Sequence, residues 1–325
     1  MWWQVLTTVL RRLYQPFKHA ATGRMRRHLA VSLADHRPVL IVLLYHQVTP
    51  DPPEWLARMG VCIRPETFER HLRWCRKRFP LVKLSTGIEQ LRNGCLGRTS
   101  VAVTFDDGMQ GVAQHAAPTL KSLNVPATLF VNRDFLLGGS HWLNQVAWLE
   151  GNGYTQALGE ILGKLGVGGY VEYLRREADQ RVLTRIPRFD ELYRRKANGQ
   201  PRLHFDPGFL ESAQADLWEI GNHSCSHPRF SRLPATDQQV QIEDNAGYLS
   251  RFTGYVPLFA VPFGTGDDWN AATVQSALAC GHEFVTAYGG VNVQGRTGVD
   301  IRRIPCDAVP ADQFEEHMVT SILGW

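Results

Sequence analysis

Val101-Ala102-Val103-Thr104-Phe105-Asp106-Asp107-Gly108 is the stretch on which the reading of this chain turns. An apolar run of strand length ends in two adjacent carboxylates and a glycine, which places both acids where a strand gives way to a loop. Neighbouring like charges raise each other's pKa and resist desolvation unless something positive lies beside them. The pair therefore asks for a cation. Taken alone, Asp-Asp-Gly is also a turn sequence, so the reading depends on what the rest of the chain supplies.

What it supplies is His223-Ser224-Cys225-Ser226-His227, two imidazoles four residues apart after the short apolar stretch Leu217-Trp218-Glu219-Ile220. Nitrogen ligands suit zinc, and two histidines with one carboxylate leave a coordination position open for water, as catalytic sites require. A His-x-x-x-His also occurs as a capped or surface pair. It is the joint appearance of acids and imidazoles, each set after a strand-like segment, that favours a divalent metal.

Thr104-Phe105-Asp106-Asp107-Gly108 followed by His223-Ser224-x-x-His227 resembles the first two signatures of the polysaccharide deacetylases, the chitin deacetylase-like carbohydrate esterases. Phe259-Ala260-Val261-Pro262-Phe263-Gly264 resembles their third, an aromatic-Pro-aromatic-Gly loop. The first signature is highly specific, the second less so, and the third weak by itself. The likeness implies an α/β fold, a distorted (β/α) barrel of about seven parallel strands, holding a divalent metal, zinc first among them, through Asp107, His223 and His227. It further implies Asp106 as the general base and the backbone N–H of Phe263 as an oxyanion donor. The implied reaction removes an N-acyl group, acetyl foremost, from an amino sugar of a polysaccharide or lipid-linked saccharide. A deformylase or other amidohydrolase on the same scaffold, and an inactive saccharide-binding relative, are the alternatives.

Two departures qualify the likeness. Many members place an arginine before the proline of the third signature, where it orients the base, and here Ala260 and Val261 carry no charge. Many also end in a Leu-x-His strand whose histidine is the general acid, whereas Ile301-Arg302-Arg303-Ile304-Pro305-Cys306-Asp307 has no histidine. The run Val39–Leu44, which reads as a fully buried strand, finishes in Leu44-Tyr45-His46, itself a Leu-x-His. This resembles the circularly permuted deacetylases of glucosamine polymers, in which that strand comes first. First and last strands of a closed barrel are neighbours, so the move keeps the histidine on the same rim. His46 is accordingly assigned the acid role, the alternative being a histidine bonded to a loop carbonyl.

Working outward, strand-like runs alternate with amphipathic ones: strands at 39–44, 101–105, 127–131, 217–220, 258–261, 283–286 and 301–304, helices at 67–78, 111–124, 237–252, 271–279 and 311–323. Alternation of this kind predicts parallel strands with helical crossovers, whose carboxyl-end loops gather on one face. At 325 residues and 44% hydrophobic, the chain can build a substantial core. Residues 38–325 read as the barrel domain, with a helical insertion at about 134–214. Helices are predicted there at 142–149, 154–165, 170–184 and 188–195. The insertion reads as a lid, with Trp142, Trp148 and Tyr173 either stacking on sugars or packing the inserted helices. Asp267-Asp268-Trp269 reads as the approach to a helix N-terminus, with Asn270 beside it.

Residues 1–37 form a basic amphipathic arm. Seven Lys/Arg against the single Asp35 give it about +6, whereas the whole chain is +4, leaving the remainder near −2. Charge so localised disfavours a nucleic-acid groove and favours an arm that meets an anionic surface. Met1–Leu10 is too short to span a bilayer, lacks a small-residue cleavage site and, with Trp2 and Trp3 ahead of arginines, suits an interfacial helix. Docking on the barrel is the alternative. Six cysteines without framework spacing fit reduced thiols. Ligation by Cys225 is disfavoured against burial as a small side chain. Together these features point to a cytoplasmic protein, peripheral at the inner face of a membrane. No phosphate-binding glycine loop, nucleophile elbow or internal repeat is present.

Overall fold

The computed structural model describes residues 38–323 apart from 164–168, 178–185, 199, 201 and 295–298. The N-terminal arm thus lies outside the described residues. Among these, no helix is long and apolar enough to cross a membrane.

The strands in chain order are β1 (Val39–Tyr45), β2 (Gln47–Val48), β3 (Cys62–Ile63), β4 (Ser100–Phe105), β5 (Ala127–Val131), β6 (Trp218–Asn222), β7 (Tyr255–Ala260), β8 (Glu283–Val285), β9 (Asn292–Val293), β10 (Asp300–Ile301) and β11 (Ile304–Pro305). The principal sheet runs β10-β8-β7-β6-β5-β4-β1-β11, with every neighbour parallel. β9 adds an antiparallel pairing to β1.

The predicted seventh strand at 301–304 is in fact two. β10 pairs with β8 at one edge of the sheet and β11 with β1 at the other, and only Arg302 and Arg303 lie between them. Two intervening residues span at most about 11 Å from Ile301 to Ile304, so opposite edges of the sheet come face to face. The result is a nearly closed barrel with eight strands around it rather than seven.

Alternation along the strands separates two interiors. Leu40, Val42, Ala102, Phe130, Leu258, Ala260, Val285 and Ile301 form one cluster drawn from strands all round the sheet, which places them inside the barrel. Their alternates, such as Ile41, Leu43, Val101, Val103 and Val131, pack outward with residues of the crossover helices. Burial on both faces explains why the strands read as continuous apolar runs.

Helices Pro65–Arg76, Ala235–Leu249, Ala271–Ala279 and Phe314–Leu323 stand where the periodicity predicts them, to within three residues at each end. The predicted helix at 111–124 begins instead as a wide π turn, Val112–Ala116, before the α-helix Ala117–Leu123. The helix Leu84–Arg92 was not predicted. It sends Leu84, Ile88 and Leu91 into the inner cluster, with Gly87 so close to Leu40 that a Cβ there would lie 2.7 Å from its Cδ1. Packing overrides the weak helix propensity of Ser85-Thr86-Gly87.

Between β5 and β6 the described residues include the inserted helices Trp142–Gly151, Thr155–Leu162, Tyr170–Glu177 and Ile186–Lys196, flanked by the short helices Arg133–Leu136 and Pro207–Glu211. They have a core of their own, built on Trp142, Val146, Leu149, Leu158, Leu174 and Phe189, against which Trp55, Met59 and Phe263 pack. Trp142 and Trp148 are only 4% and 8% exposed, and Tyr173 packs on the same core. Of the two readings of these aromatics, packing of the inserted helices is the one their burial supports.

Candidate functional site

The carboxyl ends of the strands converge on a cleft of about 830 Å³, within the range of ligand sites. His46 follows β1, Asp106 and Asp107 follow β4, His223 and His227 follow β6, Phe263 lies beyond β7, and all line this cleft. Leu143 and Asn144, from the first inserted helix, contribute to one wall. The six residues singled out in the sequence thus share one site.

Asp107 Oδ1 lies 3.5 Å from His223 Nε2 and 3.4 Å from His227 Nε2. One ligand atom from each of these three residues falls within 4.8 Å of the others. Asp107 Oδ1 is buried without a hydrogen-bond partner, an arrangement that costs free energy unless a cation meets it. The remaining imidazole nitrogens are engaged elsewhere: His223 Nδ1 lies 2.7 Å from the Ala260 carbonyl and His227 Nδ1 lies 2.6 Å from His141 Nε2. Both Nε2 atoms are thereby left to face the carboxylate. The donor set fits a divalent ion.

Asp106 Oδ2 lies 3.7 Å from His223 Nε2, but its hydrogen bonds go to a different partner. Arg303, fully buried, donates from Nη1 to Asp106 Oδ1 at 2.7 Å and from Nη2 to Oδ2 at 2.8 Å. Its Nε donates to the Thr286 carbonyl at 2.9 Å, and its guanidinium lies 5.2 Å from the Phe130 ring centroid, inside the barrel. Burial alone would push the Asp106 carboxyl up, but the Arg303 guanidinium, aided by His223, outweighs it and holds the group below its ordinary value. The orienting charge missing beside Pro262 is supplied by the short segment between β10 and β11. It was legible only as two arginines inside an otherwise apolar strand pattern.

His46 is also paired. Asp307, just after β11, accepts from the His46 backbone N–H at 2.8 Å and lies 2.7 Å from its Nδ1. Burial would depress this imidazole, yet the Asp307 carboxylate overcomes it and raises His46 to about 9. His227, in contrast, is pushed down by burial to about 3, and His141 also lies well below its usual value through burial and the neighbouring His227. Within one cleft, the Asp307 carboxylate thus favours the protonated form of His46 while burial favours the neutral forms of His227 and His141.

The loops are held in uncommon backbone conformations. Asp107, Ser224, His227 and Phe263 adopt φ of 68°, 68°, 57° and 61°, four of the five left-handed non-glycine residues among those described. Such conformations cost on the order of 1 kcal/mol or more each and need support from their surroundings. A buried asparagine network provides it for the histidine loop. Asn222 Oδ1 accepts from Ser224 N at 2.9 Å, Asn132 Nδ2 donates to the His223 and Ser224 carbonyls, and Asn245 Nδ2 donates to Asn222 Oδ1 at 2.7 Å. Ser224 Oγ then accepts from His227 N at 3.1 Å.

Nearby acids serve the framework. Asn270 caps the helix Ala271–Ala279 in a capping box with Thr273, while Asp268 accepts from Thr265 N at 2.9 Å and lies 3.3 Å from Arg229. Cys225 is buried and outside the ligand trio, and the six cysteines are all free.

Comparison with known proteins follows the same outline. A sequence profile of the family described as polysaccharide deacetylase matches residues 93–285, more than half of the chain. That span includes Asp106, Asp107, His223, His227 and Phe263, and leaves His46, Arg303 and Asp307 to the flanking segments. No curated protein sequence matches. The fold is similar to that of the Streptococcus pyogenes deacetylase PplD in complex with acetate, at 17% identity and TM-score 0.56, over 87% of this chain and 99% of that one. It is also similar to IcaB from Ammonifex degensii, at 18% identity and TM-score 0.56, over 88% and 97% of the two chains. A polysaccharide deacetylase from Bacillus cereus, BC0361, aligns at 14% identity and TM-score 0.57, over 87% and 69%. With a matching profile over the motif-bearing strands and a barrel of the same architecture, the chain belongs to the polysaccharide deacetylase family.

Proposed function

We propose that this protein is a metal-dependent N-deacetylase of amino-sugar residues in a saccharide. The observation that carries the reading is the convergence of Asp107, His223 and His227 beside an Asp106 that is bound to Arg303 rather than to the trio. Asp107, His223 and His227 would hold a divalent ion, which would supply the Lewis acidity that acidifies water and polarises an amide carbonyl. Asp107, committed as a ligand, has little basicity left. Asp106, kept ionised by its guanidinium partner, accepts the proton of the attacking water.

The backbone N–H of Phe263 donates to the oxygen that becomes negative as the carbonyl carbon turns tetrahedral. His46, protonated through Asp307, delivers a proton to the departing amine, leaving acetate and a free amino sugar. The inactive-relative alternative was motivated by the missing charge beside Asp106, and Arg303 removes that motive.

Two imidazoles and one carboxylate favour zinc among divalent ions. The charge of residues 1–37 supports placing the enzyme at an anionic membrane surface, with a lipid-linked saccharide as substrate, and the unpaired thiols support a reducing compartment. The test is metal content together with acetate release from N-acetylated amino sugars, lipid-linked and polymeric. Asp106→Asn is expected to keep the metal and lose roughly 10²–10⁴-fold in turnover. His223→Ala is expected to lose both. Unchanged turnover in Asp106→Asn refutes the assigned base.

A further inference from the structure

The inserted segment reaches the metal site through His141. This residue is the N-cap position of the helix Trp142–Gly151, and its ring is buried. Phe135 packs edge-on at 5.8 Å, Trp142 stacks at 5.7 Å, and Phe263 meets it at 5.9 Å, so the ring orientation is fixed by packing on several sides. Its Nε2 is 2.6 Å from His227 Nδ1, with the two rings perpendicular and their centroids 4.2 Å apart.

The direction of that hydrogen bond follows from the ligand geometry. His227 turns Nε2 toward Asp107 Oδ1, and a nitrogen that binds a metal must offer a lone pair. Neutral His227 therefore carries its proton on Nδ1 and donates it, so His141 accepts at Nε2 and keeps its own proton on Nδ1. His223 is oriented differently, with Nδ1–H given to the Ala260 carbonyl at the end of β7. A backbone acceptor survives any side-chain substitution. The acceptor for His227 does not, and it belongs to the insertion rather than to the barrel. A second inserted histidine touches the same site: His204 Nδ1 lies 2.9 Å from the Asp107 carbonyl.

We propose that His141 is a positioning residue for the metal, accepting the Nδ1 proton of His227 and thereby fixing the tautomer and plane of that ligand. Retention of the ion thus depends on the inserted helices as well as on the barrel. This rests on the metal-centre reading above.

The experiment titrates zinc into the metal-free full-length chain against a chromophoric chelator. It compares the parent protein with His141→Phe, which keeps an aromatic ring but no acceptor, and His141→Gln, whose Oε1 reaches close to the position of Nε2. Loss of the acceptor is expected to weaken zinc binding about 10–100-fold, with Gln restoring most of it. If His141→Phe does not fold, Gln against Asn gives the same contrast, because the Asn oxygen stops short of Nε2. Parent-like affinity in the variant lacking the acceptor, or equal weakening with and without it, overturns the proposal. A parent chain that binds no divalent ion overturns the metal-centre reading itself and this inference with it.

Discussion

Arg303 and Asp307 divide the charge chemistry of the cleft between them. Arg303 holds Asp106 ionised through a bidentate fork, and a lysine cannot reproduce that geometry. Arg303→Lys is expected to lower kcat about 10–100-fold while metal content is unchanged, and to move the acid limb of the pH–rate profile upward, because Asp106 then protonates at higher pH. Asp307→Asn acts on the other limb. In the proposed acid role His46 must be protonated, so activity is expected to fall as pH rises through about 9, and removing the carboxylate that raises its pKa is expected to shift this fall to lower pH. A pH–rate profile of kcat/KM for both variants checks the pair. An alkaline limb unmoved in Asp307→Asn removes His46 from the acid role. Asp106, Asp107, His223 and His227 were legible in the sequence because their chemistry is packed into two short motifs. Arg303 and Asp307 were not, because the expected position for an orienting arginine lay before Pro262. On a barrel rim, however, any strand end reaches the same centre.

At the level of elements, the strands were readable because both of their faces are buried. The split of 301–304 was not, since an apolar pattern does not record which edge of a sheet each half joins. The helix Leu84–Arg92 was hidden by its weak propensity, and only its contact with the inner cluster accounts for it. The inserted aromatics give a direct test of packing against sugar stacking. Trp148 stacks on Tyr154 at 6.0 Å and meets Tyr193 edge-on at 5.4 Å. Trp148→Ala is expected to destabilise the protein by about 3–5 kcal/mol in denaturant unfolding, with KM for saccharide unchanged. A raised KM with parent stability would return this ring to the substrate.

Across the whole molecule, charge is distributed unevenly: a basic arm precedes a body that is slightly acidic. Deleting residues 1–30 is expected to abolish sedimentation with anionic liposomes while leaving hydrolysis of a soluble N-acetylated sugar intact. Equal sedimentation of both forms ends the membrane assignment. The permuted strand order was legible from Leu44-Tyr45-His46 alone, because cyclic adjacency is a property of any barrel. Near-closure of this one has a temporal consequence. The residues that bring its two edges together also carry the counter-ion of Asp106, and they follow in the chain every strand that presents the trio. A nascent polypeptide stopped short of Arg303 already possesses both imidazoles and both acids. Yet its Asp106, once shielded from solvent without a guanidinium, would hold its own proton and be useless as a base. On the proposed mechanism, competence to cleave an amide therefore arrives together with completion of the cylinder.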